Sequence, residues 1–114
     1  MFDELHEECG VFGIAATPNS PIDPAYETFT GLFSLQHRGQ ESCGIAVNDA
    51  GVISCRKALG LMRDVFEERT LRAMKGNAAI GHVRYSTTGN PNAENAQPIV
   101  VTHNKGNLAI AHNG

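Results

Sequence analysis

The sequence predicts a layered α+β fold with mainly antiparallel pairing, and three observations carry that expectation. Stretches of apolar alternation and of 3.6-residue periodicity follow in the order strand, helix, hairpin, helix, strand, hairpin, and hairpins bring their strands together antiparallel. The 114 residues are 41% hydrophobic and 18% charged, a globular balance that can bury roughly two thirds of the unfolded chain's surface. No internal repeat or low-complexity tract interrupts them, so one domain-sized core is expected.

"CGVFGIAA" alternates small and apolar residues and stops at the turn formers "TPNSPIDP", so Cys9 to Ala15 reads as a strand. Asp23 followed by Pro24 is an N-cap with proline at the first helical position. The helix should run to about Gln36, with Tyr26, Phe29, Leu32, Phe33 and Gln36 near one face. Two β-rich runs, Cys43 to Asn48 and Val52 to Lys57, flank Asp49-Ala50-Gly51 and read as a hairpin. Asp64-x-x-Glu67 has the spacing of a capping box and predicts a second helix to about Met74, closed by Gly76. "NAAIGHVRYS" returns to a strand, "TTGNPNAENAQ" is turn-rich loop, and "PIVVTHNKGNLAIAH" reads as a hairpin around Asn104 to Asn107.

Composition narrows the functional classes. A net charge of −3, with nine Lys and Arg scattered along the chain, provides no electrostatic footprint for nucleic acid or an acidic membrane. A small-molecule substrate fits better. No apolar run reaches the length of about 18 residues that a membrane span needs, and the first eight residues, "MFDELHEE", lack the basic and apolar regions of a secretory signal. A cytoplasmic protein is expected. Cys9, Cys43 and Cys55 are an odd set without C-x-x-C spacing, and the five histidines form no H-x-x-x-H pair, so neither a disulfide framework nor a metal site is suggested.

Four motifs carry chemistry. Cys9 is either a small buried strand residue or a nucleophile. Were Met1 to Glu8 removed, its thiol and a free α-amino group would share one residue, and an amine with pKa near 8 could take the thiol proton as internal base. Arg38, in "LQHRGQESCG", follows a helix end and reads as a solvated basic residue beside a C-cap glycine. Arg84, in "GHVRYSTTGNP", stands where a strand becomes a loop, suited either to an ion pair or to a bidentate grip on a carboxylate. Asn113 and Gly114, in "AHNG", are either an Asn-Gly turn or a side-chain amide and a backbone N–H that face a developing oxyanion. From residues alone a Cys–His peptidase, pairing Cys9 or Cys43 with His82 or His112, is the competing enzyme class.

Taken together and in order, "ECGVFGI", "LQHRGQESCGI", "GHVRYSTTGN", "ENAQP" and "AHNG" resemble the N-terminal glutaminase domain of the amidophosphoribosyltransferases, from about Glu7 to Gly114. The resemblance implies an N-terminal-nucleophile hydrolase fold, an αββα sandwich of mostly antiparallel sheets, with only its N-terminal portion in this chain. It implies that residues 1–8 are a propeptide, that 9–114 begin a type-2 glutamine amidotransferase domain, and that the phosphoribosyltransferase domain lies outside these residues. By position, Cys9 matches the nucleophile, Arg84 the residue that grips the α-carboxylate of glutamine, and Thr87 one that contacts its α-amino group. Asn113 and Gly114 match the oxyanion hole, and Arg38 matches an arginine that supports the glutamine loop, with Tyr85 beside it.

The expected reaction is hydrolysis of glutamine through a Cys thioester, with ammonia delivered to phosphoribosyl pyrophosphate in purine biosynthesis. The 114-residue chain alone is expected to be a poor catalyst, or an inactive truncated pseudo-domain. For the full-length enzyme, a homo-oligomer, the resemblance implies Mg2+ and, for the processed branch whose members often carry one, a 4Fe–4S cluster, both held outside this chain.

Overall fold

A computed structural model describes residues 9–35, 40–85 and 93–112. The elements are β1 (Cys9–Ala15), α1 (Pro24–Leu35), β2 (Gln40–Asp49), β3 (Val52–Leu59), α2 (Met62–Val65), α3 (Glu68–Ala73), β4 (Ala78–Tyr85), a 3-10 turn (Ala93–Asn95), β5 (Ile99–His103) and β6 (Gly106–Ile110). β1, β4, β2 and β3 form one sheet in that order, every pairing antiparallel, and β5 and β6 form a second, two-stranded sheet.

The register of the large sheet sorts its side chains into two faces. Opposed residues in a ladder share a face, so Phe12, Gly81 and Ile45 fall on one side, with Cys43 beside Val83 and Val47 beside Ala79. That side carries the core, where these residues pack against Ala25 and Leu32 of α1, Met62 and Val65 of α2 and Leu71 of α3. Gly81 lies beneath Leu32 and Thr28, and a Cβ there would come within 2.5 Å of Leu32 Cδ1. The absent side chain lets the helix settle close, and complete burial of Leu32 contributes about 2 kcal/mol.

The opposite face meets the β5–β6 layer. Lys57 Nζ donates to the Pro98 carbonyl at 3.2 Å, and His82 Nε2 lies 2.9 Å from the His112 carbonyl, so the second sheet is tied down where the chain enters and leaves it, at the end opposite its turn. Between the sheets is an open cleft of about 670 Å³, lined by Ile14, Ala46, Ile53, Ile80 and Leu108 among others.

Two expectations about the helices change. α1 buries Pro24, Ala25, Thr28 and Leu32, whereas Tyr26 and Phe33 are 54% and 46% exposed. Phe29 lies between these two rings in tilted contacts at centroid distances of 6.5 and 5.9 Å. The 3.6 period located the helix and placed Leu32 in the core with Phe29 packed against it, but Tyr26 and Phe33 lie outward, and Pro24, Ala25 and Thr28 complete the buried stripe. The end of the expected helix, Gln36, lies outside the described residues.

The single helix expected from the Asp64-x-x-Glu67 spacing is two short ones, and neither Leu61 nor Glu67 at their N-caps makes a side-chain capping bond. At about 100° per residue, Leu71 and Met74 would lie on the far side of a continuous helix that buries Met62, Val65 and Phe66. All five are buried, and the break at Phe66 and Glu67 is what turns the second group inward. The first hairpin is as expected but longer, with Ala50 and Gly51 both at positive φ (51° and 94°) in a two-residue turn between Asp49 and Val52.

Candidate active site

The site begins with a cross-strand row. Cys9 on β1 is opposite Arg84 on β4, and Ser42 on β2 is opposite Arg84 from the other side. Neighbouring Cβ atoms in such a row are about 5 Å apart and point to the same face, so thiol, guanidinium and hydroxyl emerge side by side on the face away from α1. Cys9 is 8% exposed, while the Arg84 side chain is 37% exposed and reaches solvent. The Glu41 carboxylate stands 3.9 Å from Arg84 Nε, close enough to orient the guanidinium from its inner edge.

Two residues back along β4, His82 projects from the same face, between Val11 of β1 and Gly44 of β2. It is 1% exposed. Its Nε2 contacts a carbonyl, which only accepts, so Nε2 carries the proton and donates to His112. Nδ1 is then an acceptor, and it is buried without a hydrogen-bond partner among the described residues. Burial holds the His82 pKa below its usual value, assisted by the positive charges of Arg84 and His112 and opposed by the bond to the His112 carbonyl. His82 is therefore a neutral structural donor.

Tyr85 points the other way. Its hydroxyl donates to the Leu35 carbonyl at 3.2 Å and its ring packs on the α1 side of the sheet, so it fastens the end of α1 and does not share the Cys9–Arg84 face. Arg38, Thr87, Asn113 and Gly114 lie outside the described residues. The described residues that lead into those segments nevertheless gather at one end of the sheet. Leu35 meets Tyr85, Gln40 pairs with Tyr85, Arg84 pairs with Cys9, and His112 is bonded to His82.

The same register removes one peptidase pairing. Cys43 is opposite Val83 on the core face, where Sγ contacts the Gly60 carbonyl at 3.6 Å, whereas His82 points from the other face. A Cys43–His82 dyad is excluded by geometry. Among the described residues no three His, Cys, Asp or Glu side chains converge as metal ligands, and no helix is long and apolar enough to cross a membrane. Sequence reasoning passed over Gln97 and Ser42 and weighed His82 only as a peptidase base. Their positions follow from register and from a returning loop, neither of which local sequence records.

The mixed α+β architecture with antiparallel sheets is of the N-terminal-nucleophile hydrolase type, with a thiol on its first strand. Over nearly its whole length the chain matches the N-terminal portion of the amidophosphoribosyltransferases. It is 50% identical over 112 residues to the amidophosphoribosyltransferase of Synechocystis sp., a match that covers 98% of this chain and 22% of that protein. Among solved structures, one described as the allosteric regulatory enzyme of purine biosynthesis superposes with a TM-score of 0.74 at 43% identity, covering 87% of this chain and 21% of the other. The glutamine phosphoribosylpyrophosphate amidotransferase of B. subtilis, solved with ADP and GMP, gives a TM-score of 0.68 at 39% identity, covering 90% and 20%. No protein-family model matches. The chain spans about a fifth of the length of the curated relatives it matches.

Proposed function

We propose that this chain is the glutaminase portion of an amidophosphoribosyltransferase, and the observation that carries the reading is the pairing of Cys9 with a partly solvated Arg84 on the sheet face away from α1. Arg84 holds the α-carboxylate of glutamine through its planar fork, which leaves the side-chain amide directed along the row toward Cys9. The Cys9 thiolate attacks the amide carbon, and its own α-amino group, freed by removal of Met1 to Glu8, accepts the thiol proton and returns it to the leaving nitrogen. Ammonia departs, a γ-glutamyl thioester remains, and water hydrolyses it to glutamate. Asn113 and Gly114 supply the donors to the oxyanion, Thr87 contacts the substrate amine, and Arg38 supports the loop over it.

In the whole protein the ammonia displaces pyrophosphate from phosphoribosyl pyrophosphate to form 5-phosphoribosylamine, the first committed step toward purines, in a cytoplasmic homo-oligomer. Mg2+ and a 4Fe–4S cluster, where the whole protein carries them, would be held outside this chain.

The test is intact-mass analysis of the full-length protein before and after treatment with a diazoketone analogue of glutamine. Loss of Met1 to Glu8 and a single adduct on Cys9 are expected, with Cys43 and Cys55 unmodified. An adduct on either of those cysteines, or full glutaminase activity with Met1 to Glu8 retained, would overturn the reading.

A further inference from the structure

One backbone segment is held from both sides by side chains that the reaction just described does not use. The His112 N–H donates to Gln97 Oε1 at 2.6 Å, and the His112 carbonyl accepts from His82 Nε2 at 2.9 Å. The two partners come from different elements, His82 from the middle of β4 and Gln97 from the loop ahead of β5. Gly44 makes their approach possible. It sits beside His82 in the sheet, and a Cβ on it would collide with the Gln97 carbonyl. No side chain other than glycine's leaves room for the Gln97 backbone to lie flat against β2 at that point.

The held carbonyl belongs to the peptide group that joins His112 to Asn113. A peptide group is planar, so fixing its carbonyl fixes the plane and direction in which the chain enters the next residue. We propose that His82 and Gln97 are positioning residues: together they clamp the His112 peptide and thereby set the placement of Asn113 toward the oxyanion, with Gly44 admitting Gln97 to the clamp. The proposal rests on the reading of Asn113 as an oxyanion donor. Four separate sequence motifs, those containing Gly44, His82, Gln97 and His112, meet at this one peptide. His82 is 1% exposed, its Nε2 is committed to this carbonyl, and its Nδ1 has no hydrogen-bond partner among the described residues.

The experiment is steady-state glutamine hydrolysis by the full-length protein carrying His82→Leu, His82→Gln, Gln97→Leu, Asn113→Ala and the double variant His82→Leu/Asn113→Ala, with thermal melts to establish folding. Displacement of an oxyanion donor by about 1 Å costs on the order of 100-fold in rate. His82→Leu and Gln97→Leu should each lower kcat by about 10-fold to 100-fold with KM for glutamine unchanged. His82→Gln places an amide N–H near the position of Nε2 and should restore kcat to within about 3-fold of wild type. Because His82 acts only through Asn113, the double variant should be no slower than Asn113→Ala. Should His82→Leu prove unfolded, Gln97→Leu and His82→Gln still decide the matter. Wild-type kcat in folded His82→Leu or Gln97→Leu overturns the clamp, as does a double variant in which the two losses multiply. Wild-type kcat in Asn113→Ala instead overturns the oxyanion reading, an outcome read independently of the other variants.

Discussion

Cys9 and Arg84 are the residues on which the proposed function turns, and each shows what a strand position contributes beyond residue type. A cysteine at a strand start is ordinarily a small buried hydrophobe. Here its neighbour across the ladder is a partly solvated arginine, and the row continues to a buried serine. The arginine's planar fork is what a carboxylate needs, which makes lysine a poor replacement despite equal charge. Arg84→Lys is expected to lower kcat/KM for glutamine by roughly 30-fold to 1000-fold, equivalent to about 2 to 4 kcal/mol, mainly through KM. Steady-state kinetics with glutamine varied checks it; a KM near wild type would remove Arg84 from the substrate site.

At the scale of elements, glycines decide how closely layers approach. Gly81 receives α1 from one side of the sheet and Gly44 receives the Gln97 loop from the other, each in the centre of a strand where a side chain would ordinarily be favoured. Gly44→Ala should destabilise the fold by about 1 to 3 kcal/mol, since the atom it meets is backbone and cannot swing aside. Gly13→Ala is the control on the same sheet face. Its nearest neighbours would be Ile80 Cγ2 at 3.6 Å and the Ala79 carbonyl at 3.8 Å, ordinary contacts, so a change within about 1 kcal/mol of zero is expected. Urea unfolding of the two variants beside wild type measures both, and equal midpoints for them would contradict the close-approach argument. The broken α2–α3 segment belongs to the same scale, where burial of Leu71 and Met74 prevails over a spacing that favoured one helix.

For the molecule as a whole, His82 is the polar fastening between the large sheet and the chain leaving β6. Its pKa is depressed below the ordinary 6.5, chiefly by burial. A base whose folded pKa lies below its unfolded value favours folding in the neutral form. That contribution is complete above pH 6.5 and is lost as pH falls through the window beneath it, because the unfolded chain binds the proton more readily. Protonation would also create a second buried donor, at Nδ1, with no acceptor among the described residues. The melting temperature is therefore expected to fall as the pH is lowered below 6.5, and His82→Gln should flatten that part of the profile. A profile of unchanged slope in the variant would assign the acid sensitivity to other groups.

The sequence by itself determined much of this protein. Element order, the Ala50-Gly51 turn and the start of α1 at Asp23-Pro24 were all legible, because turn chemistry and capping act over a few residues. Cys9 and Arg84 could be nominated from their motifs. Their adjacency could not, since it depends on the β1–β4 register, set by the core face beneath α1 across a sequence separation that no local pattern spans. The buried stripe of α1, the break between α2 and α3, the turning of Tyr85 toward Leu35 and the clamp on His112 were likewise decided only by tertiary structure. Each is a choice among locally acceptable alternatives, and it is settled by which surfaces the sheet leaves small enough, or dry enough, to receive them.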